Sequence, residues 1–265
     1  MTDQVELSIR QFVSAWRLMS ERAPAFEHAE DDQLAMIFAK IPVPFFNVGI
    51  PTGTGITAGR LRALTERACA WAASRHVPWL FVVTHDAVEG NVDVTSVVGE
   101  SGLVPLLPLT GMLAETVAAA TALPEGLRLE VPADESGCGA LLDVNAAAYG
   151  MDLESGKALM GQPAFWTSHF PVLGTVNGEP VSTTAVFMVD GIRYVALVAT
   201  APHQQRRGYA DAAMRHALQL AADVHGATAT VLHATEAGRP VYERMGYRPI
   251  SAHTAFIDKA FLGGH

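Results

Sequence analysis

The sequence predicts an α/β protein of the α+β kind, in which one unit of strand, loop, helix and strand is built twice. Three observations point there. Val48 to Thr84 and Val198 to Thr235 share that grammar and differ in length by a single residue. Asn177-Gly178 and Asp190-Gly191 stand between apolar runs, the signal of tight hairpins and so of antiparallel sheet. The composition is 49% hydrophobic and 17% charged over 265 residues, enough for a sizeable core in one large domain or two small ones.

Taken in order, Val5 to Glu21 is expected to be a helix, with Leu7, Phe12 and Trp16 on its apolar face. A second helix is expected over Asp32 to Phe38, behind an acidic patch of Glu27, Glu30, Asp31 and Asp32. Phe45 to Ile50 reads as a strand. The glycine-rich loop from Pro51 to Gly59 lacks the lysine of a phosphate loop and reads as a connector. A helix over Arg60 to Arg75 carries Leu61, Leu64, Ala68, Trp71 and Ala72 on one face, and Pro78 to Thr84 is a buried strand. Leu103 to Leu109 is expected as strand and turn, and Gly111 to Leu123 as an alanine-rich helix.

Pro124-Glu125-Gly126 reads as a linker, dividing the chain into domains over 1–124 and 127–265. The second domain opens with a strand over Leu127 to Val131. Helical segments follow over Gly139 to Tyr149 and Leu153 to Trp166. Strands over Phe170 to Thr175, Val181 to Val189 and Arg193 to Thr200 then make an antiparallel meander. Ala210, Ala213, Met214, Ala217, Leu218 and Ala221 fall on one face of a helix, which leads to a strand over Ala229 to Ala234.

Formal net charge is −9 and the pI about 5.5, which argues against broad nucleic-acid binding. Cys69 and Cys138 have no metal-ligand spacing, so no metal site is expected and two free thiols are. The acidic start lacks a signal-peptide pattern and no apolar run reaches membrane-spanning length. The expectation is a cytoplasmic monomer or homodimer that binds neither nucleic acid nor membrane.

The turn from Thr200 into the helix at Ala210 aims backbone N–H groups and the positive end of a helix dipole at one point, which suits a pyrophosphate. Gly208 leaves the backbone open to a ligand, and Arg206 and Arg207 add positive charge. Gln205-Arg206-Arg207-Gly208-Tyr209-Ala210 resembles the Q/R-x-x-G-x-G/A signature of the GNAT superfamily of acyl-CoA-dependent N-acyltransferases. Tyr242-Glu243-Arg244-Met245-Gly246-Tyr247 is similar to that family's late Tyr-x-x-x-Gly-aromatic element. The resemblance covers the chain from about Leu127 onward.

The resemblance implies two GNAT-like domains, each a mostly antiparallel sheet flanked by helices, with strands splayed at the acyl-CoA site. The first is a degenerate copy. It has no Gln-x-x-Gly-x-Ala run, and alignment on Gly102 and Gly246 puts Val98 where the second has Tyr242. It further implies acetyl-CoA as co-substrate and the amine of a small molecule as acceptor. Val198, Ala199 and Thr200 would hold the pantetheine arm and polarise the thioester, Gln205 to Ala210 the pyrophosphate, and Tyr242 would protonate the leaving thiolate. His233 is the residue chemically able to act as base; Asp190, His169, Glu236, a water chain or an already deprotonated amine stay open. A non-catalytic acyl-CoA sensor or scaffold is the alternative.

Overall fold

The computed structural model describes residues 2–118 and 122–262. In chain order the elements are α1 (Thr2–Ser20), β1 (Glu27–Glu30), β2 (Leu34–Phe38), β3 (Asn47–Pro51), α2 (Ala58–Ala73), β4 (Leu80–Thr84), α3 (Val94–Gly99) and β5 (Leu103–Ala114). Then come β6 (Leu127–Glu130), α4 (Glu135–Tyr149), α5 (Leu153–Lys157), α6 (Pro163–Trp166), β7 (Phe170–Val176), β8 (Glu179–Val189) and β9 (Ile192–Thr200). The last are α7 (Tyr209–His225), β10 (Thr230–Ala234), α8 (Arg239–Arg244) and β11 (Arg248–Asp258). Among the described residues no helix is long and apolar enough to cross a membrane.

The chain forms two compact units that are not simply consecutive. Unit 1 takes the residues up to Met112, then His233–Pro240 and the C-terminal stretch from Pro249. Unit 2 takes Leu113–Leu232 and Val241–Arg248. The Pro124-Glu125-Gly126 stretch lies inside unit 2.

Unit 1 orders its strands β1-β2-β3-β4-β11-β5. The pairs β1/β2, β2/β3 and β4/β11 are antiparallel and β3/β4 is parallel. Helix α1 buries Val5, Ile9, Phe12, Val13, Trp16 and Met19, and α2 buries Leu61, Leu64, Ala68 and Ala72. The helix expected over Asp32 to Phe38 is instead the strand β2, with all five residues buried. A short continuous apolar run does not distinguish a buried strand from a buried helix. The hairpin turn decides it: the Asp31 carboxylate accepts from the N–H groups of Gln33 and Leu34, both at 2.9 Å, and turns β1 into β2.

The helix expected from Gly111 is overturned as well, since β5 continues to Ala114; of that expectation, residues 119–121 lie outside the described residues. Gly111 explains the strand. A Cβ there would sit 2.1 Å from Ser251 Oγ and 2.3 Å from Ser8 Oγ, so only glycine lets β5 pass this closely. Both cysteines are free thiols.

Unit 2 orders its strands β10-β9-β8-β7-β6, with β10/β9 parallel and the remaining pairs antiparallel. The two hairpin corners have positive φ at both central residues, 52° and 83° at Asn177-Gly178 and 49° and 76° at Asp190-Gly191, as type I′ turns require. Helix α7 buries Ala213, Met214, Ala217, Leu218 and Ala221. Its small residues allow close approach to β7 and β8. The helical stretch expected from Leu153 to Trp166 is two short helices, the first capped by Asp152 and the second begun by Pro163.

Candidate active site

The site in unit 2 is built at the end of β9. Through its first half β9 pairs regularly with β8, up to Ala196 opposite Ala185. Past a register shift, Ala199 lies opposite Thr183, so Leu197 and Val198 share one partner position. Leu197 adopts φ 55°, the mark of a β-bulge at a non-glycine residue.

Buried hydroxyls hold the bulge. Thr183 Oγ1 donates to the Leu197 carbonyl at 2.9 Å and accepts from Asn145 Nδ2 at 2.9 Å. Ser182 Oγ donates to the Ala199 carbonyl at 3.0 Å, and the Ala201 N–H donates to the Val181 carbonyl at 2.9 Å. Residues 197, 199 and 201 therefore turn their backbone groups towards β8. By strand alternation, Val198 and Thr200 turn theirs the other way.

That other side is a gap. Strand β10 pairs with β9 at Thr230–Arg193 and Val231–Tyr194. Beyond Tyr194 the β9–β10 register ends, with no further pairing between them among the described residues. The start of β9 is pinned by Arg193, whose buried guanidinium donates to the carbonyls of Leu218 and Thr228. Of the three strand residues expected to bind, Val198 and Thr200 present backbone to the fork, whereas the Ala199 carbonyl is already taken.

Past Thr200, Pro202–Gln204 form one tight helical turn, and α7 begins at Tyr209. Between them Arg206 and Gly208 have φ of 64° and 81°. Such left-handed residues curl successive N–H groups inward and make an anion-binding concavity at a helix start. A Cβ at Gly208 would meet Pro124 Cγ at an ordinary 3.5 Å, so conformation, not space, demands glycine here. Arg206 and Arg207 are exposed. Tyr209 points inward, 6% exposed in a cluster with Leu127 and Val181, so it anchors the helix and offers only backbone to a ligand. Asp211 in the first turn would repel an anion, but Arg215 holds it bidentately at 2.8 and 3.1 Å.

Tyr242 lies in α8 and is 8% exposed, with the Tyr247 ring edge-on at 6.1 Å. Burial first, then the neighbouring Tyr149 and Tyr247, push its hydroxyl well above the usual phenol range, so it stays protonated at neutral pH. Tyr149, the last residue of α4, was not singled out from the sequence. The residue is 52% exposed, yet its hydroxyl reaches in to donate to the Val198 carbonyl at 2.5 Å, and burial of that end pushes its pKa up to about 12. No local motif announces it; only the contact made by the folded helix does.

His233 belongs to unit 1. Its Nε2 lies 3.0 Å from Ser8 Oγ and its ring stacks on Phe12 at 4.0 Å. Ser8 Oγ lies 2.7 Å from Ser251 Oγ, which lies 2.8 Å from His253 Nε2, and His253 Nδ1 lies 2.9 Å from Thr84 Oγ1. Burial lowers the proton affinity of both rings, His253 down to about 3, with a smaller contribution to His233 from His253 and to His253 from His85.

A group whose folded pKa is depressed stabilises the fold above its unfolded pKa and loses that contribution as pH falls. Here the window runs from about 6.5 down to about 3 for His253. Stability should drop by about 2 kcal/mol between pH 7.5 and pH 5 from His253. Melting curves across that range check this, and His253→Gln should flatten the profile while lowering stability at pH 8. An unchanged slope in that variant would contradict the assignment.

The matching fork in unit 1 is closed. Strand β3 pairs with β4 at Val48–Leu80 and Gly49–Phe81, and its register with β2 is unbroken, with no bulge. Beyond it the Ile56 N–H donates to the Ala87 carbonyl and the Glu89 N–H to the Ile56 carbonyl, both at 2.9 Å. Ile56, 2% exposed, bridges the strands where unit 2 leaves a gap. Calorimetric titration with acetyl-CoA should therefore give a stoichiometry near one per chain, and a value near two would contradict the closed fork.

Residues 143–247 match the family model described as the acetyltransferase (GNAT) family. No curated protein matches the sequence. Among solved structures, a GCN5-related N-acetyltransferase from Kribbella flavida is similar with a TM-score of 0.70 at 22% identity, over 97% of this chain and 96% of that one. One from Sphaerobacter thermophilus is similar at 0.58 and 13% identity, over 94% and 91%. A tandem GNAT protein from the clavulanic acid biosynthesis pathway is similar at 0.55 and 10% identity, over 95% and 94%. Nearly the whole chain shares the fold of these proteins, and the match to the acetyltransferase (GNAT) family model is confined to residues 143–247.

Proposed function

We propose that unit 2 is an N-acyltransferase that takes an acetyl group from acetyl-CoA and transfers it to the amine of a small molecule. The observation that carries this is the bulged fork. Val198 and Thr200 follow the bulge with their backbone turned away from β8, and the chain runs on from them into the left-handed turn at Arg206–Gly208 and the start of α7. An extended amide-bearing arm fits the first part and a pyrophosphate the second.

In this reading the backbone of Val198 and Thr200 pairs with the pantetheine arm and polarises the thioester. The N–H groups from Gln205 to Ala210 take the pyrophosphate, and Arg206 and Arg207 add long-range attraction. An oriented backbone donor at the developing oxyanion is worth about 3 kcal/mol. The amine attacks the thioester carbon, and collapse of the tetrahedral species breaks the C–S bond. The Tyr242 phenol then gives its proton to the departing sulfur, and the proton lost by the amine passes through water to restore the phenol. His233 receives no role in this step: its ring is engaged with Ser8 and Phe12, and its affinity for a proton is low.

The test is an acetyl-CoA-consumption screen over amines, amino acids, aminoglycosides and small thiols. Turnover with at least one amine is expected. Tight acetyl-CoA binding with no turnover across the panel would replace the enzyme reading with that of a sensor or scaffold.

A further inference from the structure

We infer that Tyr149 is a latch on the donor-binding strand: its hydroxyl occupies the Val198 carbonyl that an amide N–H of the acyl donor would take, so donor binding must displace it. This rests on the donor site proposed above and adds a residue that lies in neither the Gln205–Ala210 run nor the Tyr242–Tyr247 element.

The argument starts from α4. Asn145 and Tyr149 are four residues apart and so share one face of the helix. Both act on consecutive carbonyls of the bulge. Asn145, 1% exposed, acts on Leu197 through Thr183, and it is braced by a second bond from the same Nδ2 to the Leu141 carbonyl at 2.8 Å. That brace faces β8 and does not obstruct the fork. Tyr149 acts on Val198 directly, at 2.5 Å, from the open side.

The two differ in what it takes to move them. Asn145 is embedded. Tyr149 is the last helical residue, directly before Gly150 at φ 64°, and the residue is half exposed. A rotation of its side chain towards solvent uncovers the Val198 carbonyl. The Val198 carbonyl is then an acceptor on a splayed strand, the position for a pantetheine amide N–H. The hydroxyl and a donor amide N–H approach this carbonyl from the same open side of the strand, so they compete for it and the hydroxyl yields. The contact protects a polar group in the empty site and sets the affinity for the donor.

The experiment compares wild type with Tyr149→Phe, which keeps the ring and removes the hydroxyl. Titration calorimetry uses two probes: acetyl-CoA, and the nucleotide half of coenzyme A without its pantetheine arm. The variant should bind acetyl-CoA about threefold to tenfold more tightly, the range of one net hydrogen bond. Its affinity for the nucleotide half should be unchanged. Unchanged or weaker acetyl-CoA binding by the variant overturns the latch while leaving the donor site in place, and so does an equal gain with the nucleotide half. Failure of both proteins to bind acetyl-CoA overturns the donor site and the latch with it. A single cooperative melting transition within a few degrees of wild type confirms that the variant is folded.

Discussion

Gly208→Glu should leave the protein folded and unable to bind acetyl-CoA. Two effects combine. Gly208 sits at φ 81°, where an L side chain is strained by roughly 1–3 kcal/mol, so the turn shifts and its N–H groups lose their common aim. The new carboxylate also stands where the pyrophosphate is expected. Two unit charges about 4 Å apart near a protein surface repel by roughly 4 kcal/mol. Together these should raise the Kd by about ten-thousandfold, beyond the range of ordinary calorimetry. Gly208→Ala separates the terms, since it carries the strain without the charge and should cost about tenfold. The residue lies at the start of α7, and its Cβ position meets only Pro124 Cγ within 4 Å, so the melting temperature should fall by only a few degrees. Retained affinity in Gly208→Glu would show that the pyrophosphate binds elsewhere.

Tyr242→Phe should bind acetyl-CoA as the parent does and turn over more slowly by a factor on the order of 10 to 1,000, in keeping with general acid catalysis of roughly 10²–10⁴. The ring keeps its edge-on contact with Tyr247, and the hydroxyl is missed only as the C–S bond breaks. Equal falls in kcat and kcat/KM place the loss in the transition state. The measurement needs an acceptor amine from the screen. Unchanged turnover would remove Tyr242 from the mechanism.

Much of this fold is legible in the sequence, where local chemistry decides local structure. Asn177-Gly178 and Asp190-Gly191 specify their turns by themselves, and the spacing of Ala213, Met214, Ala217, Leu218 and Ala221 specifies α7. Strand β2 was mistaken for a helix because five buried residues in a row carry no period. Strand β11 was not anticipated because its buried face is polar where it enters the Ser8–His233 cluster: Ser251 and His253 point inward while Ala252 is exposed. The apolar alternation that marks a strand is inverted there.

The candidate site divides the same way. The strand-to-helix turn from Gln205 to Ala210 is readable from residue types, because glycine in a left-handed turn has a chemical signature. The bulge at Leu197 has none. It arises from the hydroxyls of Ser182 and Thr183 on the neighbouring strand and from Asn145 on a helix, all distant in sequence. Tyr149 was invisible for the same reason. The closure of the unit 1 fork at Ile56–Val88 likewise depends on a pairing between two loops that no local pattern announces.

The central claim is that one fork, at the end of β9, takes the acyl donor. Amide hydrogen exchange followed by mass spectrometry, with and without acetyl-CoA, tests it most directly. Protection is expected in peptides spanning residues 196–212, with no change over 47–60, where the matching fork is closed. Protection over 47–60, or none over 196–212 at saturating acetyl-CoA, would contradict the account.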